Sequence, residues 1–167
     1  MEKNIVLIGF MGSGKSMIAR ELGKRLKAKV ISTDLLAEAR EKATIHEIFR
    51  SKGEAYFRDL ESAIIKEVSL CKGTIIDCGG GVVLCKENLK LLKANGIVFY
   101  LQATPQVIYE RIKHETHRPL LKASDPLGCI KELHQQRTPL YDQADFTIDA
   151  NDASIEGPVV EILNIMK

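Results

Sequence analysis

Residues Gly9-Phe10-Met11-Gly12-Ser13-Gly14-Lys15-Ser16 constrain this chain more than any other stretch of it. They fit G-x-x-x-x-G-K-[ST], directly after the apolar run Ile5 to Ile8 and directly before Ile18, Leu22 and Leu26, whose spacing lines one face of a helix. From average glycine usage, a chance match in a chain of this length is on the order of one in a hundred, before that context is counted. A strand, a glycine turn and a helix in this order aim successive backbone N–H groups and a helix N-terminus at phosphate oxygens. Lys15 then reaches the β- and γ-phosphates of ATP and Ser16 holds Mg²⁺, with Gly12, Ser13, Gly14 and Met17 completing the expected contacts.

Such a loop specifies a nucleotide but not a reaction, since switches, motors and kinases all use it. Guanine recognition asks for N-K-x-D or T-K-x-D, and neither string occurs. Asp77-Cys78-Gly79-Gly80 does fit D-x-x-G, which carries little alone.

The rest of the chain alternates β-branched apolar runs with helical patterns, the rhythm of a parallel sheet wrapped by helices. Strands are expected at Ile5 to Ile8, Val30 to Ser32, Thr74 to Asp77, Ile97 to Leu101 and Phe146 to Ile148. Thr44 with Glu47 forms a capping-box pattern, and Thr104-Pro105 and Asp125-Pro126 each place a capping residue before a proline. The fold class is therefore α/β: one domain over residues 1–167, with a five-stranded parallel sheet flanked by helices. Lys113 to Ser124, polar and basic, falls between two helical patterns and is expected to be a mobile loop.

Charge argues for small partners. Lysine and arginine total 24 against 22 acidic residues, a net +2 that is too balanced for binding along a nucleic-acid backbone. The opening Met1-Glu2-Lys3-Asn4 leads into an apolar run too short for a secretory signal, and no stretch approaches the ~20 apolar residues of a membrane span. A cytoplasmic protein is expected. Cys71, Cys78, Cys85 and Cys129 form no C-x-x-C pair, and His46, His114, His117 and His134 are scattered, so free thiols and no zinc site are expected.

Asp34 follows the second strand at its carboxyl end, where open α/β sheets bind ligands, and Gly79-Gly80-Gly81 follows the third. Three glycines let an acceptor lie flat against backbone N–H groups, and Arg58 and Arg137 offer planar forks for a carboxylate beyond those that ATP needs. An acidic polyol is thereby suggested.

At this point the string as a whole resembles the shikimate kinase family. Gly53-Glu54-Ala55-Tyr56-Phe57-Arg58-Asp59-Leu60-Glu61 is similar to that family's G-E-x-x-F-R-x-x-E, and Gly79-Gly80-Gly81 to its triple glycine. Arg118-Pro119-Leu120-Leu121 resembles the R-P-L-L of its lid, and Arg137-Thr138-Pro139-Leu140-Tyr141 its late R-x-x-x-Y. The resemblance implies that Asp34 binds shikimate hydroxyls and accepts the proton, that Arg58 and Arg137 clamp the carboxylate, and that Glu61 orients Arg58. It implies that the glycine triplet, Gly79, Gly80 and Gly81, contacts the ring. It further implies Arg118 in catalysis from a lid over residues 113–124, Arg111 stacked on adenine, and an acceptor-binding segment over residues 33–61. ATP and shikimate are the implied partners of a monomer, with Mg²⁺ as cofactor. One departure stands out: the family usually shows D-[ST]-D after its second strand, and Ser32-Thr33-Asp34 keeps only the second aspartate. Asp77, where the family more often has a small residue, is expected to replace the lost carboxylate and to join Ser16 at the metal. A kinase of another acidic polyol and a nucleotide-binding module without transfer remain as alternatives.

Overall fold

In the computed structural model, which describes residues 2–116 and 119–167, five strands form a single parallel sheet. They are β1 (Asn4–Ile8), β2 (Val30–Ser32), β3 (Ile75–Asp77), β4 (Gly96–Gln102) and β5 (Phe146–Asp149), in the order β2-β3-β1-β4-β5. All five lie where the apolar runs predict them, to within one residue at either end. Parallel strands cannot be joined by tight turns, so every connection crosses over through helix. α1 (Lys15–Leu26) leads from β1 to β2. α2 (Thr33–Glu41) and α3 (Ile45–Val68) lead to β3, α4 (Lys86–Asn95) to β4, and α5 (Pro105–Ile112) and α6 (Pro126–Tyr141) to β5, with α7 (Glu156–Ile165) closing the chain.

The caps act as their residue types dictate. Thr44 Oγ1 accepts from the Glu47 N–H at 3.2 Å while Glu47 Oε2 accepts from the Thr44 N–H at 2.7 Å, a complete capping box that starts α3. Thr104 and Asp125 cap α5 and α6 ahead of their prolines. α2 starts with no loop before it: Ser32, the last residue of β2, caps it by accepting from the Leu35 N–H at 3.4 Å. α3 is broken at Gly53, whose φ of 85° and ψ of 167° lie in a region open essentially to glycine alone. The segment 113–124, expected to be a mobile loop, contains among its described residues a 3₁₀ turn over Pro119–Lys122, from which Leu120 and Leu121 pack on the core.

Both faces of the sheet are covered, which is why its strands read as unbroken apolar runs. Ile5 and Leu7 face α1 and α7 together with Ile75, Phe99 and Ile148, whereas Val6 and Ile8 face the opposite side with Ile76, Val98 and Tyr100. Each fully buried aliphatic side chain contributes roughly 1.5–3 kcal/mol. The register then sets the chemistry. Leu7 pairs with Asp77 and Asp77 with Ser32, so the carboxyl ends of β1, β3 and β2 lie side by side. Among the described residues no helix is long and apolar enough to cross a membrane.

Candidate active site

Gly14 enters α1 with φ of 92°, as its cap, and leaves the first turn of that helix without any capping side chain. Lys15 folds back over the loop, its Nζ donating to the carbonyls of Gly9 (2.9 Å) and Phe10 (3.0 Å). Ser16 Oγ donates to Asp77 Oδ2 at 2.6 Å, a contact between residues 61 positions apart that follows from the pairing of β1 with β3. Asp77 is only 6% exposed, and burial pushes its carboxyl above the ordinary range, against the pull of the Ser16 hydrogen bond and of Lys15 and Arg20. Ser13, also buried, has a hydroxyl with no hydrogen-bond partner among the described residues.

Arg111, expected to stack on adenine, is engaged here by backbone carbonyls. Its Nη1 donates to Gly12 O (3.3 Å) and its Nη2 to the carbonyls of Ala150 and Asp152 (2.7 Å each), tying the phosphate loop to the chain beyond β5. Gly12, Gly14, Met17, Arg111, Ile155 and Pro158 line a cavity of about 400 Å³ beside the loop.

A second cavity, of about 830 Å³, opens between α2, α3 and the glycine turn after β3, and it brings together Asp34, Arg58, Gly79 to Gly81 and Arg137. At the two ends of the turn the space for a side chain is taken. A Cβ on Gly79 would sit 2.4 Å from Asp34 Oδ1, and one on Gly81 would sit 2.2 Å from Arg58 Nη1, whereas one on Gly80 would meet nothing closer than 3.5 Å. Arg58 is oriented by Glu61, which accepts from its Nη1 at 2.8 Å, and its guanidinium lies over Phe57, 5.2 Å from the ring centroid. Arg137 lies over Phe10 at 5.8 Å. Burial raises the carboxyls of Asp34 and Glu61; Lys15 and Arg58 oppose it at Asp34, and Arg58 at Glu61. Glu61 Oε2 and Arg137 Nε are buried without a hydrogen-bond partner among the described residues.

Two residues that sequence reasoning left without a role hold this turn. Thr33 Oγ1 accepts from the Gly79 N–H at 3.0 Å, and the Tyr141 hydroxyl donates to the Gly80 carbonyl at 2.5 Å. Position alone gives a signal for each: Thr33 precedes Asp34, and Tyr141 lies four residues after Arg137 and so on the same face of α6. Arg118 lies outside the described residues; of the segment 113–124, Leu120 and Lys122 line the larger cavity. All four cysteines are free, and burial pushes the Cys78 thiol well up. Among the described residues no group of three or more His, Cys, Asp or Glu side chains is placed to hold a metal.

A family model described as shikimate kinase matches residues 11–167. The chain is 45% identical over 161 residues to a shikimate kinase of Thermodesulfovibrio yellowstonii, covering 96% of this chain and 93% of that one. It is 42% identical over 161 residues to a shikimate kinase of Caldanaerobacter subterraneus, with 96% and 94% covered. Its structure is similar to a shikimate kinase from Acinetobacter baumannii in complex with shikimate, at a TM-score of 0.93 and 32% identity over 99% of this chain and 93% of that one.

Proposed function

The chain belongs to the shikimate kinase family, and on that premise we propose that it moves the γ-phosphoryl group of ATP onto the 3-hydroxyl of shikimate, giving shikimate 3-phosphate and ADP on the route to aromatic amino acids. The observation that carries this reading is the larger cavity, where Asp34, Arg58 and Arg137 surround a turn with no side chains beside the phosphate loop.

Phosphoryl transfer asks mainly for alignment and for neutralisation of charge on the moving oxygens. Lys15 and the N–H groups from Gly12 to Ser16 take the phosphates, with Met17 and Arg111 at the nucleoside end. Arg58 and Arg137 read the shikimate carboxylate, Gly79 to Gly81 carry the ring, and Asp34 accepts the hydroxyl proton, its burial making it a stronger base than a solvated carboxylate. Arg118 adds charge from a lid over residues 113–124, a contribution of ~10³ to 10⁵ in rate for an arginine in related loops. Ser16 and Asp77 fit Mg²⁺: both present hard oxygens, already 2.6 Å apart, beside the loop. The ion supplies neutralisation of the β- and γ-phosphate oxygens. The chain acts as one domain, a cytoplasmic monomer, with its acceptor-binding segment over residues 33–61.

The test is ADP release on adding shikimate, with the methyl ester as comparison. Losing charge-assisted hydrogen bonds at about 1.5–3 kcal/mol each lowers kcat/KM for the ester by at least roughly tenfold. Release that ignores shikimate overturns the reading, and equal kcat/KM for acid and ester removes the arginine clamp.

A further inference from the structure

The glycine turn poses a mechanical difficulty: three residues without side chains have nothing of their own to limit their torsions, yet they form the floor on which an acceptor must be aligned. Gly79 is held at its N–H by Thr33 and at its carbonyl by the Val82 N–H at 3.1 Å. The Gly81 carbonyl accepts from the Leu84 N–H at 3.0 Å. Gly80, between them, is held at its carbonyl by Tyr141, 61 positions later, at 2.5 Å. Gly80 also lies against the phosphate loop: a Cβ there would be 3.5 Å from Met11 N and 3.6 Å from Gly9 O. Any rotation of this peptide therefore changes the spacing between floor and loop.

Tyr141 is built to hold one position. It is fully buried and stacked on Tyr100 of β4, with ring centroids 5.0 Å and planes 18° apart. Burial pushes its hydroxyl up to about 12, so the phenol keeps the proton it donates throughout the neutral range.

We propose that Tyr141 is a positioning residue for the acceptor: its hydroxyl pins the Gly80 carbonyl and so fixes the ring-bearing turn at its working distance from the phosphate loop. This rests on the functional reading above. The same hydroxyl faces the Arg137 guanidinium, whose charge pulls against the upward push of burial, so the last residue of the R-x-x-x-Y string stands between the first and the glycine turn.

The experiment is Tyr141→Phe, which removes the hydroxyl and keeps the ring and its stack. Expected are a roughly twofold to tenfold rise in KM for shikimate, the size of one neutral hydrogen bond lost, a fall in kcat of several-fold, an unchanged KM for ATP, and a Tm lowered by no more than the few degrees that one such bond is worth. Unchanged KM for shikimate overturns the proposal. A chain that melts well below the parent, or whose two KM values rise together, also overturns it, because it assigns the hydroxyl a packing role. ADP release by the unsubstituted chain is measured first. Failure there removes the functional reading, whereas success there with an unaltered Y141F chain removes only the role of Tyr141.

Discussion

Replacing Asp77 by serine tests whether the chain moved a carboxylate from one strand to its neighbour. Ser32 and Asp77 are register partners on β2 and β3, so a carboxylate at either position ends at the same edge of the phosphate site. Ser32 is occupied as the cap of α2, while Asp77 faces Ser16 at 2.6 Å in a setting that is 6% exposed. A charge-assisted bond in such a place is worth about 1.5–3 kcal/mol. At about 1.4 kcal/mol per factor of ten, D77S should raise the Mg²⁺ concentration for half-maximal rate roughly tenfold to a hundredfold. Calorimetry of ADP binding with and without Mg²⁺ gives the same comparison without turnover. Adding Ser32→Asp should return both quantities to within about threefold of the parent, because aspartate caps a helix as well as serine does and leaves α2 intact. Such recovery is a coupling energy in a double-mutant cycle, and two independent sites produce none. An unchanged Mg²⁺ titration in D77S, or no recovery in S32D/D77S, refutes the exchange and leaves Asp77 as a buried partner of Ser16 alone.

The glycine turn makes a differential prediction. In Gly81→Ala the new Cβ would strike the tip of Arg58, a side chain that can swing aside, so the chain should fold while KM for shikimate rises roughly tenfold to a hundredfold. Gly80→Ala, with no protein atom nearer than 3.5 Å, should leave Arg58 in place and Tm within a few degrees of the parent, and a Gly81→Ala chain that keeps the parent's KM would sink the argument. Asp34→Asn should lower kcat by ~10² to 10⁴ if this carboxylate takes the proton. It should also raise Tm increasingly with pH: a carboxyl raised by folding binds more protons folded than unfolded, so it lowers stability as pH climbs above its ordinary value near about 3.9. A Tm difference equal at pH 4 and pH 7 would refute that sign.

Much of this architecture is legible because it is local. The strand positions, the phosphate loop and the Thr44 capping box each occupy a few consecutive residues whose spacing is the signal. The pairing of β2 with β3 is not local and no string in the sequence marks it, yet its register is what makes Ser32 and Asp77 neighbours. What escapes sequence reading is held by contacts between distant segments. Tyr141 reaches Gly80 across 61 residues, and Arg111 spends its guanidinium on carbonyls of Gly12, Ala150 and Asp152. Backbone carbonyls carry no residue identity, so no string in the sequence marks them as targets. The same limit hid Thr33, whose hydroxyl could as well have capped α2 as met Gly79.

The break in α3 has a genetic side. At Gly53 a Cβ would touch nothing within 4 Å, so the bar to other residues lies wholly in the torsion angles of the main chain. At Gly23 a Cβ would meet Val30 Cγ2 at 2.5 Å and the Ala28 carbonyl oxygen at 3.3 Å, so there the bar is chiefly a neighbouring methyl group. Lesions at the two glycines therefore differ in heritable repair. A lesion at Gly23 is open to a second-site revertant that trims Val30. One at Gly53 has no neighbour to trim, so no single contact offers a compensating change.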